Sequence, residues 1–205
     1  MSVQTTKKTK IIRGTPVAIK NHILDMQYAW FIWSVLLVGV WGVIYLALDT
    51  KDKKRETLIV GLWTALTGLT EPLFVPAYWN PPSLFDLATR TGFDLESIIF
   101  SFGTGGIAVI LYEWIFRTAH RKIPVSAHNA ARHRYHVPIL FTTPAVLLAL
   151  LLMTDINPIY SAILALIAGG LATWYCRPDL KKKMFASAAL FLGLYFAYFW
   201  TLIAL

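Results

Sequence analysis

The chain predicts an all-α, polytopic membrane bundle of about six transmembrane helices, and three observations carry that expectation. Of its 205 residues 57% are hydrophobic and 15% charged, with a mean hydropathy of +0.57. A soluble globular domain is about 45–50% apolar and about 25% charged, so the composition argues against a soluble enzyme and a disordered chain. Six segments, at 27–48, 57–79, 95–116, 137–153, 158–176 and 185–205, approach the ~20 apolar residues that cross a ~30 Å hydrocarbon core. None has the short alternation of a membrane-barrel strand, and a bilayer offers no water to bare backbone, so each reads as a helix. A single cysteine, Cys176, excludes an internal disulfide and any multi-cysteine metal site.

Residues 1–26 form a basic lead with Lys7, Lys8, Lys10, Arg13 and Lys20, and residues 27–205 read as one transmembrane domain. The first apolar run is of full membrane length with no small-residue cleavage site after it, which predicts a retained span and not a signal peptide. The second span contains Thr67-Gly-Leu-Thr-Glu-Pro-Leu-Phe-Val-Pro76, whose prolines remove helical hydrogen bonds and predict a kinked, partly unwound segment. The third opens at Gly92-Phe-Asp-Leu-Glu-Ser-Ile-Ile-Phe-Ser-Phe102, with Asp94 as the cap and Gly103, Gly105 and Gly106 thinning its middle for close helix contact or a ligand. Trp30, Trp33, Trp114, Tyr160, Trp174 and Tyr175 fall near span ends, where amphipathic rings anchor at the interface.

Basic residues set the orientation. The segments 49–56, 117–136 and 177–184 hold 13 of the 19 Lys and Arg, and six spans put them on one side, which should be cytoplasmic. This clustering in short loops fits anionic lipid and not nucleic acid, and it predicts a multi-pass cell-membrane protein. The basic N-terminus then falls outside, so either the lead lies on the surface as an amphipathic piece or the chain has seven spans. The segments Asp49-Thr-Lys-Asp-Lys-Lys-Arg-Glu56 and Arg177-Pro-Asp-Leu-Lys-Lys-Lys-Met184 each precede an apolar span, 128 residues apart. They read as an internal duplication or as two ordinary basic loops.

Ionisable residues inside a bilayer are costly and mark candidate sites. Glu71, between Thr67 and the two prolines, reads either as lining a cavity with Thr64 and Thr67 on one helical face, or as a snorkelling interfacial acid. Glu96 reads either as a functional carboxyl or as a first-turn partner of the helix dipole. Glu113, between Tyr112 and Trp114 at the far end of the third span, reads as interfacial or substrate-facing. Four of the five histidines lie between residues 119 and 136 among arginines whose charge opposes a cation, and no metal site is expected there.

At Tyr78-Trp-Asn-Pro-Pro82, Gly92-Phe-Asp-Leu-Glu-Ser-Ile-Ile-Phe-Ser-Phe-Gly103 and Leu111-Tyr-Glu113 the sequence resembles the membrane-embedded lycopene cyclase family of bacteria, archaea and fungi. The stretch Arg177-Pro-Asp-Leu180 looks similar to that family too. The family's acidic motif reads Pro-x-Glu-Glu or Pro-x-Glu-Asp; here Asp94 stands at the proline position, Glu96 matches the first acid and Ser97 replaces the second. The resemblance implies a redox-neutral, cofactor-free isomerisation in which a proton is added to a terminal double bond of a linear carotenoid or similar isoprenoid. The resulting cation closes a ring, and a neighbouring proton leaves. Such chemistry needs a carboxylic acid kept protonated, aromatic faces for the cation and exclusion of water. For that chemistry the sequence offers Glu71 or Glu96 as the acid with the other as base, and Thr67, Tyr78, Trp79, Phe100, Phe102, Tyr112 and Glu113 around the substrate. The family includes forms that act only as heteromers, so homo- or hetero-oligomeric partners are an expectation. The departures at Asp94 and Ser97 admit a second reading, a non-catalytic isoprenoid-binding or scaffold subunit. A transporter has little support, because no inverted repeat is evident.

Overall fold

The computed structural model describes residues 16–75, 83–118 and 131–203, and every regular element among them is helical. Helix α1 spans Pro16–Ala47, α2 Lys51–Ala65, α3 Leu87–Thr91, α4 Leu95–Phe116, α5 His136–Leu140, α6 Thr142–Met153, α7 Pro158–Cys176 and α8 Lys181–Ile203. A 3₁₀ helix, Leu66–Leu73, continues α2, and a short one, Leu84–Asp86, leads into α3. Four stretches are long and apolar enough to cross a membrane: Tyr28–Ala47, Leu95–Phe116, Pro158–Cys176 and Pro178–Thr201.

Local chemistry explains where the helices begin. Thr50 caps α2 by accepting from the Lys53 amide, so α2 starts inside the charged segment and not at Thr57 as expected. Asp94 caps α4 through the Ser97 amide at 2.5 Å, and Asn157 caps α7 ahead of Pro158, whose missing N–H costs nothing in the first turn. The second and fourth expected spans differ most from the observed helices. The second becomes α2 plus the 3₁₀ helix, tightening where threonine hydroxyls bond carbonyls three residues back and Pro72 enters. The fourth is broken at Phe141: Pro144 has no N–H for the Leu140 carbonyl, and Phe141 turns back to bond Pro138. Helix α1 begins at Pro16, eleven residues before the expected start, and takes in the end of the basic lead.

The core lies between α1, α4 and α8, where Leu37, Ile44, Leu48, Ile107, Ile110 and Leu111 are buried. Helix α2 packs antiparallel along α4, with Gly61 against Phe102 and Gly68 against Ile98. Lipid is as apolar as leucine and gives little drive for apolar helices to associate, so close packing and hydrogen bonds must hold them. One relay does both. The Trp41 indole donates to the Thr57 hydroxyl at 3.0 Å, and that hydroxyl donates to the Gly106 carbonyl at 2.6 Å, joining α1, α2 and α4. On the other side α6 and α7 form an antiparallel pair, in which Ser161, Ala165 and Gly169 place a small-residue stripe inward and Gly169 sits under Thr143.

The described residues of the basic segments lie at helix ends, where several of them meet. Asp49 and Lys53 share a cavity wall with Arg117, while Arg132 approaches the Tyr175 ring and His136 Nδ1 lies 3.9 Å from Cys176 Sγ. Thr57→Val should lower stability by about 1–3 kcal/mol, because it removes the hydroxyl that joins the half-buried Trp41 indole to the Gly106 carbonyl. Thermal unfolding in detergent reads this, and Thr67→Val, an exposed hydroxyl bonded only to its own helix, should leave the midpoint unchanged.

Candidate functional site

At the end of the bundle away from the basic segments, the 3₁₀ helix meets the start of α4 and three carboxyl groups come together. Glu71, Asp94 and Glu96 are 8%, 2% and 0% exposed. The approach is possible because Gly68 has no side chain: a Cβ there would stand 2.7 Å from both Cα and N of Ile98. Pro72 lies against Gly92, whose positive φ of 78° suits glycine and turns the chain from α3 toward α4.

Ser97 joins two of the acids. Its amide donates to Asp94 Oδ1, and its side chain lies beside the Glu71 carboxyl. Glu96 turns the other way and accepts from the Leu84 amide at 2.6 Å, holding residues 83–91 over the site. Ser83, also buried, accepts from the Ala88 amide at 2.9 Å. Phe85 and Asp86 in this segment both have positive φ, 58° and 55°, a strain on the order of 1–2 kcal/mol per residue. The Glu96 contact therefore fixes a loop that the backbone alone would not favour.

One oxygen of each acid, Glu71 Oε1, Asp94 Oδ2 and Glu96 Oε2, is buried and has no hydrogen-bond partner among the described residues. Asp94 and Glu96 lie close enough to act electrostatically on Glu71. Among the described residues no three Asp, Glu, His or Cys side chains are set to hold a metal ion, these acids included. What the arrangement can do is hold, give up and take back a proton out of contact with water.

The structure thus brings Glu71 and Glu96 to one level but scatters most of the other candidate residues. Thr67 is exposed and donates to the Thr64 carbonyl, so it faces away from the acids; the inward positions are Gly61, Thr64, Gly68 and Glu71. Phe100 belongs to a ring cluster with Trp30, Tyr195, Tyr198 and Phe199, whereas Phe102 packs on Trp41 at 4.8 Å and covers Gly61. Tyr112 stacks on Phe116 and Glu113 lines a cavity at the basic end, about 26 Å along α4 from Glu96 at 1.5 Å per residue. Neither reaches the acids. Tyr78 and Trp79 lie outside the described residues, as do His120 and His128 of the histidine-bearing loop. Asp94, Ser97 and Ser83 were missed as site members, because a cap and a turn residue explain themselves locally and only the tertiary approach of Glu71 and Leu84 adds a second role.

A cavity of about 540 Å³ lies elsewhere, walled by Asp49, Lys53, Glu113 and Arg117 together with Leu48 and Trp114 at the basic end. Four charged walls do not suit a hydrocarbon chain, and this cavity is not assigned to the carboxyl site.

No protein-family model, curated protein or solved structure matches the chain.

Gly68→Ala should separate the 3₁₀ helix from α4, because the added carbon meets backbone that cannot rotate away. The expected cost is about 1–3 kcal/mol, with Glu71 becoming accessible to a water-soluble carbodiimide. Gly39→Ala, which has open space around it, should leave both stability and labelling at the parent level.

Proposed function

We propose that the chain is a multi-pass cell-membrane protein of the lycopene cyclase type, which closes a ring on a linear carotenoid or similar isoprenoid by proton transfer between Glu71 and Glu96. The observation that carries this reading is the buried meeting of these two acids, 25 residues apart in sequence, each with an oxygen free to exchange a proton. The motif resemblance covers Glu96, and Glu71 is marked separately by its carboxyl inside an apolar span. A carboxylic acid adds its proton to the terminal double bond, the cation is attacked by the next double bond, and the second carboxylate removes the adjacent proton. Atoms are conserved and nothing is oxidised, so the reaction needs only a shielded acid, a base and a dry approach. Residues 83–91, held by Glu96 at Leu84, shield the acids, while the Phe100 ring cluster offers aromatic faces one turn along α4 from Glu96.

We also propose six crossings. The four apolar helices α1, α4, α7 and α8 are joined by α2 with its 3₁₀ extension, 23 residues, and by α5 with α6, residues 136–153. At 1.5 Å and 2.0 Å rise per residue the first connector extends about 38 Å and the second about 27 Å, close to the thickness of a bilayer core. Six crossings put segments 49–56, 117–136 and 177–184 in the cytoplasm. They also align α1–α2 with α7–α8, as an internal duplication requires. In a Cys176→Ser background, single cysteines at Thr91 and Lys182 should be labelled from opposite sides of the membrane; labelling of both from one side sinks the topology.

Expression in cells that accumulate lycopene tests the activity. New cyclic carotenoid is expected from the parent, and Glu71→Gln and Glu96→Gln should each lower ring formation by about 10²–10⁴-fold while the protein still inserts. Both variants working at the parent rate would overturn the mechanism. A second reading, an isoprenoid-binding subunit without activity, is favoured by Ser97, which presents a hydroxyl to Glu71 where the family motif has an acid. Unchanged lycopene co-purifying with the parent, with and without a partner cyclase chain, supports that reading.

A further inference from the structure

We propose that the charged cavity bordered by the ends of α1 and α4 and the start of α2 is a lipid-headgroup site, which takes a phospholipid whose head joins a phosphate to a primary ammonium. This goes beyond the cyclase reading and stands or falls apart from it. The cavity holds about 540 Å³, within the ~300–1,000 Å³ usual for small-molecule sites. Lys53 is its fixed cation. The residue lies in the first turn of α2 and is 6% exposed, and an ammonium with three N–H groups is rarely buried so far without several partners. Among the described residues it has one, Asp49 Oδ1 at 3.2 Å, and that carboxylate belongs to a side chain 72% exposed. A pair with one solvated member adds little to stability. It also leaves ammonium hydrogens of a buried lysine, itself part of the cavity wall, to be met by something else.

The remaining walls give the charge pattern. Arg117, at the C-terminal end of α4, adds a second cation whose planar fork suits two phosphate oxygens, and Asp49 and Glu113 add two carboxylates. Walls of both signs match a ligand that carries both: phosphate oxygens accept from Lys53 and Arg117, and the ammonium donates to Asp49 and Glu113. A purely anionic head would bring its charge against the two carboxylates, and a quaternary ammonium has no N–H to donate. The apolar walls identify the source as lipid. Leu48 directly follows the apolar stretch Tyr28–Ala47, and Trp114, 40% exposed, lies two residues before the end of the stretch Leu95–Phe116. The cavity therefore sits at the level where both stretches end, the depth at which acyl chains give way to headgroups and amphipathic rings such as Trp114 anchor. A free phosphoamine in solution has no counterpart for these walls.

Native mass spectrometry of the full chain in detergent, titrated with lipids of identical acyl chains, tests the proposal. Phosphatidylethanolamine should bind about tenfold more tightly than phosphatidylglycerol or phosphatidylcholine, the loss expected when one charge-assisted hydrogen bond is missing. Binding of either comparison lipid at the same strength overturns the proposal. Lys53→Met, Arg117→Gln and Glu113→Gln should each weaken phosphatidylethanolamine by about tenfold, whereas Lys182→Met, an exposed change that does not touch the cavity, should leave it at the parent level. The thermal midpoint in the same detergent shows that each variant is folded; should Lys53→Met fail, Arg117→Gln, at an exposed position, decides the matter. Parent-level binding in the folded variants places the lipid elsewhere and overturns the site. Soluble glycerophosphoethanolamine is the last arm: displacement of the lipid by an equal concentration of it overturns the assignment to lipid. Ring formation, present or absent, moves none of these readouts.

Discussion

The Thr57 hydroxyl holds three helices in register. It accepts from Trp41 of α1 and donates to Gly106 of α4, and it is buried because α4 has no side chain at that position. From this point α2 runs antiparallel along α4 through three further glycine contacts, Gly61 under Phe102, Gly105 under Thr64 and Gly68 under Ile98, before it reaches the acids. Each contact requires the one before it, since a helix that is lifted or rotated at Thr57 cannot bring Gly68 to the Ile98 backbone. In a lipid environment apolar surface gains little by leaving its surroundings, so specific contacts of this kind decide which helices associate and at what depth. The meeting of Glu71 with Asp94 and Glu96 is the last link of that series.

Where helix bounds depend on local chemistry, the sequence was informative. The spans at 95–116 and 158–176 coincide with α4 and α7, because Asp94 and Asn157 with Pro158 are visible caps that coincide with a change in hydropathy. The second span could not be read in this way. Hydropathy places a helix start at the first apolar residue, whereas Thr50 starts α2 seven residues earlier, among charges. The error in Thr67 has a related origin. At 3.6 residues per turn Thr64, Thr67 and Glu71 share a face, but from Leu66 onward the chain turns every three residues, so Gly68 aligns with Glu71 and Thr67 with Thr70. A change of helical period moved one candidate out of the site and put a glycine in its place.

Glu96 shows a different limit. Its place in the first turn of α4 predicts a dipole interaction, and nothing in the spacing indicates that its partner is the amide of Leu84, twelve residues earlier. The same holds for the rings: Phe100 and Phe102 are two residues apart on one helix and so lie on different sides of it, one toward Trp30 of α1 and toward α8, the other toward Trp41 of α1 and Gly61 of α2. Grouping aromatic residues by proximity in sequence therefore joined two separate packing surfaces. The acids were identified by their chemistry, since a carboxyl in an apolar run demands an explanation; the aromatics carry no such demand.

The energetic argument also bears on what the carboxyl patch is for. A buried polar atom without a partner costs about 1–3 kcal/mol, and this patch has three. Capping of α4 needs only one oxygen of Asp94, and the Leu84 amide needs only one of Glu96. An asparagine and a glutamine would meet those needs with neutral groups, and Glu71 makes no contact that a glutamine could not replace. If the patch served packing alone, its remaining oxygens would be a net loss of stability in a bundle whose other contacts are small and local. Under the proposed acid–base role the unpartnered oxygens of Glu71 and Glu96 have a use that packing does not give them. The glycine contacts that bring the acids together and the Glu96–Leu84 contact that covers them are the same ones that exclude water, so one set of packing interactions both imposes the cost and creates the condition in which proton transfer is possible.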